Sequence, residues 1–217
     1  MSLQPVAFNI KEQTMWLSPE RCMFWENQQA LILCDLHLGK SGHFRKEGIG
    51  IPQQILKHDL KRLNAQIEYF LPTSLIIIGD LFHSRLNMEV NYFSRWRENY
   101  NEIAIHLIQG NHDILPSRIY YDLNIILHRE ELFISELLFR HESSIEKTQN
   151  HYEISGHIHP GIKMKGKGKQ SLKFPCFYFT DSEAYMPAFG KFTGLHIIEP
   201  AKNASIFVVA ENQIIPI

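Results

Sequence analysis

Short apolar runs recur along this chain, and polar, chemistry-bearing residues begin abruptly where several of them end. Near the start, Val6-Ala7-Phe8, Met15-Trp16-Leu17 and Cys22-Met23-Phe24-Trp25 are separated by polar residues and Pro19, which predicts an opening meander of strands. Three later runs are almost wholly apolar, as strands buried on both faces must be. They are Ala30-Leu31-Ile32-Leu33-Cys34, Leu75-Ile76-Ile77-Ile78 and Ile103-Ala104-Ile105-His106-Leu107-Ile108. Between them the apolar spacing turns helical. Ile55, Leu56, Leu60, Leu63, Ile67 and Phe70 predict an amphipathic helix over 53–70 that stops before Pro72. Val90, Phe93, Trp96 and Tyr100 predict a second over 87–100. Strand, helix, strand, helix, strand implies a parallel sheet covered by helices.

Beyond residue 120 the rhythm changes. Runs over 124–127, 132–134, 137–139, 152–154, 174–179, 195–198 and 205–209 read as successive strands, with 163–173 a basic, glycine-containing loop. They predict a second, largely antiparallel sheet that faces the first, with helices outside. No repeat or long linker divides the chain. The expectation is therefore one α/β domain over 1–217.

Composition narrows the function classes. A hydrophobic content of 44% and an aromatic content of 12% suit a packed globular protein rather than a disordered one. The net charge of −1 gives no bulk attraction for polyanions, so any nucleic-acid footprint has to be local. Cys22, Cys34 and Cys176 form no CxxC pair, and Cys34 and Cys176 fall in apolar runs as inert core residues would. No basic leader and no long apolar span is present. These features predict a cytoplasmic protein without membrane association.

Twelve histidines are the unusual count, and their clustering carries the chemistry. His58, His106, His128 and His196 lie singly on predicted helix or strand and read as ordinary residues. The others fall in motifs. Asp35-Leu36-His37, Gly79-Asp80 and Gly110-Asn111-His112-Asp113 each follow one of the buried strands, and Gly156-His157-Ile158-His159 follows a strand of the second set. Asp35 and His37, at i and i+2, can both turn toward one ion at a frayed strand end. Asp80 has two oxygens and can bridge two ions. Asn111 adds a neutral oxygen, His157 and His159 repeat the i, i+2 spacing, and His141 is placed to add a further nitrogen. Oxygen and imidazole donors without thiolate suit manganese first, with iron or zinc as alternatives, and the count fits two divalent ions with positions left for water and substrate.

This order of motifs resembles the calcineurin-like metallophosphoesterase superfamily along nearly the whole chain. The resemblance implies a four-layer αββα sandwich of two mixed β-sheets flanked by helices. It also implies one metal site of Asp35, His37, Asp80 and His159, and another of Asp80, Asn111, His141 and His157. The family histidine at position 141 is usually followed by glycine. Here Glu142 follows, so His128 and His151 stand as alternatives. His112 would contact the phosphate or protonate the leaving group, with Asp113 orienting it. The implied reaction is hydrolysis by a water that bridges the two ions and is deprotonated near neutral pH.

Longer segments resemble one bacterial subgroup, the ligase-associated DNA damage response endonucleases. They are Asp35-Leu-His-Leu-Gly-Lys-Ser-Gly-His-Phe-Arg-Lys46, Gly79-Asp-Leu-Phe-His-Ser84, Gly168-Lys-Gln-Ser-Leu-Lys-Phe-Pro-Cys176 and Ala188-Phe-Gly-Lys-Phe-Thr-Gly194. That resemblance implies DNA as substrate and an ATP-dependent DNA ligase, an exonuclease and a helicase as partners in repair. His43 and Arg45 are candidates to hold a substrate phosphate, and His83 to touch substrate or orient a ligand through its second ring nitrogen. Lys163, Lys165, Lys167, Lys169 and Lys173 would either track a nucleic-acid backbone or form a solvated hairpin tip. Three functions stay open on the residues themselves: a DNA endonuclease or phosphodiesterase, a small-molecule phosphodiesterase or phosphatase, and a non-enzymatic subunit of a repair complex.

Overall fold

The doubly apolar runs become the centre of the first sheet. A computed structural model describes residues 4–39, 54–83, 88–144, 151–166 and 170–217. β1 (Val6–Ile10), β2 (Gln13–Ser18) and β3 (Cys22–Trp25) form an antiparallel meander that continues into β4 (Ala30–Cys34). From β4 onward the neighbours are parallel: β5 (Ser74–Ile78), β6 (Ala104–Ile108) and β7 (Ile125–His128). The connections between these parallel strands carry α1 (Gln54–Phe70), α2 (Met88–Glu98) and the short α3 (Ser117–Asp122). α2 ends earlier than its spacing predicts, and where the chain leaves it the Arg97 guanidinium donates to the carbonyls of Tyr100 and Leu123. α3 is only six residues long, too short for its apolar period to register in the sequence.

A period of two sorts the strand side chains. Leu31, Leu33, Leu75, Ile77, Ile105 and Leu107 bury against Leu60, Leu63, Ile67, Phe93 and Trp96 of the helices. Ile32, Cys34, Ile76, Ile78 and Ile108 take the other face and meet Phe139, Ile154, Phe177 and Phe179 of the second sheet. Each aliphatic or phenyl side chain so buried contributes about 1.5–3 kcal/mol.

The second sheet contains β8 (Glu131–Ile134), β9 (Leu137–Arg140), β10 (Tyr152–Ser155), β11 (Pro160–Lys165), β12 (Ser171–Phe179), β13 (Glu183–Tyr185), β14 (His196–Ile197), β15 (Ser205–Ala210) and β16 (Gln213–Pro216). Its order is β14-β11-β12-β13-β10-β9-β8, with β15 on β12 and β16 on β15. It is mixed: β10 runs parallel to both β9 and β13, and β11 parallel to β14, while the other pairs are antiparallel.

Three expectations change. The run at 125–128 belongs to the first sheet, not the second: after α3 the chain returns parallel to β6 and buries Ile125 on the helix side. Residues 163–165 and 171–173 are strand rather than loop, because Ile162, Met164, Phe174 and Cys176 supply an apolar face between the lysines. The α/β sandwich of two mixed sheets is as expected, but among the described residues every helix packs on the first sheet. The outer face of the second is closed by Ile162, Cys176, Tyr178, Ile206 and Val208. No helix among the described residues is long and apolar enough to cross a membrane.

Candidate metal centre

The C-terminal ends of β4, β5 and β6 lie at one end of the sandwich, where loops of a parallel sheet commonly carry function. Beyond the strands, the first two loops remain laced together. Asp35 N–H donates to Gly79 O (3.1 Å), His37 N–H to Asp80 O (2.8 Å), Leu38 N–H to Leu81 O (2.9 Å) and His83 N–H to Leu38 O (3.0 Å). From the second sheet, the ends of β9 and β10 arrive joined by Gly156 N–H on His141 O (3.2 Å). The two halves then meet directly: the His157 amide donates to Asp35 Oδ2 at 3.1 Å.

Strain concentrates here. Asp35, His37, Asp80, His157 and His159 all adopt positive φ, between 48° and 65°. Side chains with a Cβ resist that conformation by about 1–3 kcal/mol each, and such residues persist where surrounding contacts over-determine them. The glycines of the motifs are explained by crowding. A Cβ on Gly79, itself at φ 72°, would stand 2.0 Å from His141 Nδ1. One on Gly110 would stand 2.3 Å from Asp80 Oδ1. Both motifs therefore have to present bare backbone to a neighbouring ligand.

The donor atoms converge. Asp80 Oδ2 lies 3.6 Å from His37 Nε2 on one side and 3.5 Å from His141 Nε2 on the other, while Asp80 Oδ1 accepts the His112 amide at 2.9 Å. Asp35 Oδ1 lies 3.3 Å from His159 Nε2. His141 Nε2 is also 3.1 Å from Asn111 Oδ1 and 3.1 Å from His157 Nδ1. Donor atoms of Asp35, His37 and His159, and likewise of Asp35, Asp80 and His141, lie within 4.8 Å of one another. Every one of the seven sequence candidates for metal ligation thus stands in one cleft, including His141. The alternatives lie apart: His128 pairs with His106 (Nε2 to Nδ1, 3.0 Å) and His151 packs on Phe133.

These residues fit a divalent cation. Asp35 Oδ1 is buried without a hydrogen-bond partner among the described residues, since His159 Nε2 stands outside hydrogen-bonding geometry. His141 Nδ1 faces the Ile78 carbonyl at 3.2 Å; with its N–H donated there, Nε2 turns a lone pair toward Asn111 Oδ1 and Asp80 Oδ2. Acceptors converging at such distances call for a positive charge between them. Burial pushes the Asp35 carboxyl up, but the His159 contact, with the charge that His159 and His141 carry when protonated, outweighs it and holds the group below the ordinary carboxylate range.

His112 and His83 line the cleft beside these ligands. Their rings stack with centroids 4.6 Å apart, and His112 meets His37 edge-on at 5.3 Å. His83 Nδ1 is 3.3 Å from His37 Nδ1, leaving His37 Nε2 toward Asp80. Asp113 sits otherwise than its expected partnership with His112 suggests. Its carboxylate accepts the Gly110 amide (3.0 Å) and the Phe82 amide (3.1 Å), so it grips the backbone of two ligand loops rather than the His112 ring. Burial pushes its carboxyl up to about 7. His43, Arg45, Lys167 and Lys169 lie outside the described residues.

One supporting group escaped the sequence reading. Arg62 of α1 is buried and donates to Asp59 Oδ1 (3.0 Å), Phe189 O (2.8 Å), Glu20 O (2.7 Å) and the Glu20 carboxylate. Its guanidinium lies 4.3 Å from the centroid of the Phe189 ring. Phe189 N–H in turn donates to Cys34 O (2.9 Å) and Gly190 N–H to Asp35 O (3.1 Å), so the network clamps the strained Asp35 turn from behind. The signal was present: Asp59, Arg62 and Gln66 make a polar stripe at helical spacing along the apolar side of α1, and all three are buried.

The chain is similar to a solved structure, that of Pseudomonas putida nuclease MPE, at 25% sequence identity and a TM-score of 0.83, over 99% of this chain and 100% of that one. A nuclease of the same fold at full length agrees with the family resemblance of the motifs. No protein-family model and no curated protein matches the sequence.

Proposed function

We propose that this chain is a phosphodiesterase dependent on two divalent ions, acting as one domain over 1–217 and cutting DNA as an endonuclease in repair. The observation that carries the reading is the position of Asp80 Oδ2, between His37 Nε2 and His141 Nε2, with Asp35 and His159 on one side and Asn111 and His157 on the other. Asp35, His37, Asp80 and His159 would hold one ion, and Asp80, Asn111, His141 and His157 the second. Manganese suits this mixture of oxygen and imidazole, with iron or zinc as alternatives. When bound, the ions supply a field that draws charge off the phosphoryl oxygens and makes water acidic enough to react near neutral pH.

The protein's own part is orientation and proton handling. The Asp80 carboxylate fixes the His112 backbone, and stacking on His83 fixes the His112 ring at the open side of the cleft. From there the imidazole can hand a proton to the departing oxygen. The similarity to a nuclease supports DNA as substrate over small esters alone. The cytoplasm, beside the ligase, exonuclease and helicase of a repair system, is the setting this reading implies. The free, buried Cys22, Cys34 and Cys176 suit a reducing compartment.

The test is purified protein with manganese on single-stranded, duplex and flap DNA, beside bis-p-nitrophenyl phosphate. Internal cuts that vanish with EDTA and return with manganese are expected. Hydrolysis of the ester with all DNA left whole would replace the endonuclease by a small-molecule phosphodiesterase. Silence on every substrate would leave a non-enzymatic subunit.

A further inference from the structure

The β11–β12 hairpin carries three lysines that packing does not explain. Lys163 and Lys173 are direct cross-strand partners, so their side chains leave the same face side by side, and Lys165 lies on that face two residues on. All three are exposed. Among the described residues, no carboxylate lies within ion-pair distance of any of them. Like charges placed opposite each other in a sheet cost stability, so the pairing invites an anion.

Register shows which way the face looks. Along β12, Lys173 shares its side with Pro175, Phe177 and Phe179, and the two phenylalanines lie in the core between the sheets. The opposite side, with Phe174 and Cys176, joins Ile162 and Met164 in the outer cluster. The lysine face is thus the inward face of the second sheet, continued past the point where the sandwich ends. That end is the cleft, because β11 begins at Pro160, immediately after His159, and Gly161 pairs with Pro175. At about 3.3 Å per residue, Lys163 stands about 13 Å beyond His159. Each strand of a duplex carries one phosphate per about 3.4 Å of helix axis, so the two positions are roughly four base pairs apart along a duplex lying in that direction.

We propose that Lys163, Lys165 and Lys173 form a wall that holds the nucleic-acid backbone beside the phosphate being cut. The inference rests on the nuclease reading of the cleft and names the surface that makes nucleic acid, rather than a small ester, the substrate. A chain of net charge −1 attracts polyanions only through such a local array. Its contacts go to the backbone, so the wall confers affinity without sequence preference.

The experiment uses the full chain carrying Lys163→Ala with Lys173→Ala. Binding of labelled single-stranded and duplex oligonucleotides is read by fluorescence anisotropy in EDTA between 50 and 200 mM salt. Two lost phosphate contacts should shrink the fall in duplex affinity across that range about twelvefold, and flatten the salt slope by about 1.8. Manganese affinity and hydrolysis of bis-p-nitrophenyl phosphate should match the parent, and the melting temperature should not fall, since a like-charge pair has been removed. An unchanged salt slope overturns the wall while the metal cleft stands. Equal losses on DNA and on the small ester also overturn it, by tracing the effect to the cleft. If the parent hydrolyses the ester but binds no oligonucleotide, the wall and the DNA reading fall together, and the metal reading survives.

Discussion

The loops of the first sheet and those of the second meet in one cleft but are built differently. The first sheet contributes both carboxylates, Asp35 and Asp80, and holds them by a backbone ladder that continues past the strand ends. The second contributes only imidazoles, His141, His157 and His159, steadied through their rings and through the Asp35 carboxylate. All the negative charge therefore comes from one half of the chain. The imidazole nitrogens come largely from the other. The two halves approach closely through Asp35 Oδ1 and His159 Nε2, 3.3 Å apart, and through Asp80 Oδ2 and His141 Nε2, 3.5 Å apart. A cation placed there strengthens an attraction that the fold has already installed, so loading the cleft should stabilise the whole sandwich.

That asymmetry predicts unequal losses. Asp80→Asn removes a charge that both clusters share. It should weaken manganese binding, read by calorimetry, by more than about 100-fold, beyond the usual cost of losing an outer partner of a ligand. The rise in melting temperature on adding manganese should disappear with it. His157→Ala removes one neutral donor from one cluster, and should erase one of two binding steps while leaving the other. Equal losses in the two variants would break the distinction between the sheets.

A smaller effect separates holding from reacting within the first sheet. His112→Ala should keep the parental manganese isotherm and lower turnover by roughly 10²–10⁴, the usual worth of a placed proton donor. A drop in metal affinity of the same size would make His112 a ligand instead. His83→Ala sharpens this further. Through its 3.3 Å approach to His37 Nδ1, it should cost metal affinity by about 10–100-fold and turnover only in step with it.

How far the sequence foretold this arrangement depends on the kind of interaction. The central strands were legible because Leu31 to Cys34 and Leu75 to Ile78 are apolar on both faces, which only a covered strand tolerates. The cleft was legible because metal ligands need particular atoms: the Asp35, Asp80 and Asn111 motifs each follow such a strand, and the His157 motif follows a strand of the second sheet. The sheet to which Ile125–His128 belongs was not. Three apolar residues before His128 predict a strand, but not the neighbour that pairs with it. Lysines hid the β11–β12 hairpin, since Ile162 and Met164 alternate with charges that mimic a loop. The Arg62 clamp was hardest: its stripe with Asp59 is local, but its other partners, Glu20 and Phe189, lie across stretches of chain that no local pattern joins.

Asp113 gives the smallest and most discriminating test, because sequence and structure assign it different work. As an orienting partner for His112, it would need to touch that ring, and replacing it would shift the pH profile of turnover. As placed, its two oxygens each accept one backbone amide, from Gly110 and from Phe82, and so hold the Asn111 loop against the Asp80 loop. Asp113→Asn keeps one acceptor and turns an amide NH₂ toward the other donor. A buried N–H is then left unsatisfied, at a cost of about 1–3 kcal/mol. In a chain of this size each kcal/mol lowers the melting temperature by roughly 2–4 °C. The expected outcome is a lower melting temperature, turnover within a few-fold of the parent and an unmoved pH profile. A displaced profile at full stability would restore the partnership with His112, and would mean that the carboxylate leaves its two amides during the reaction.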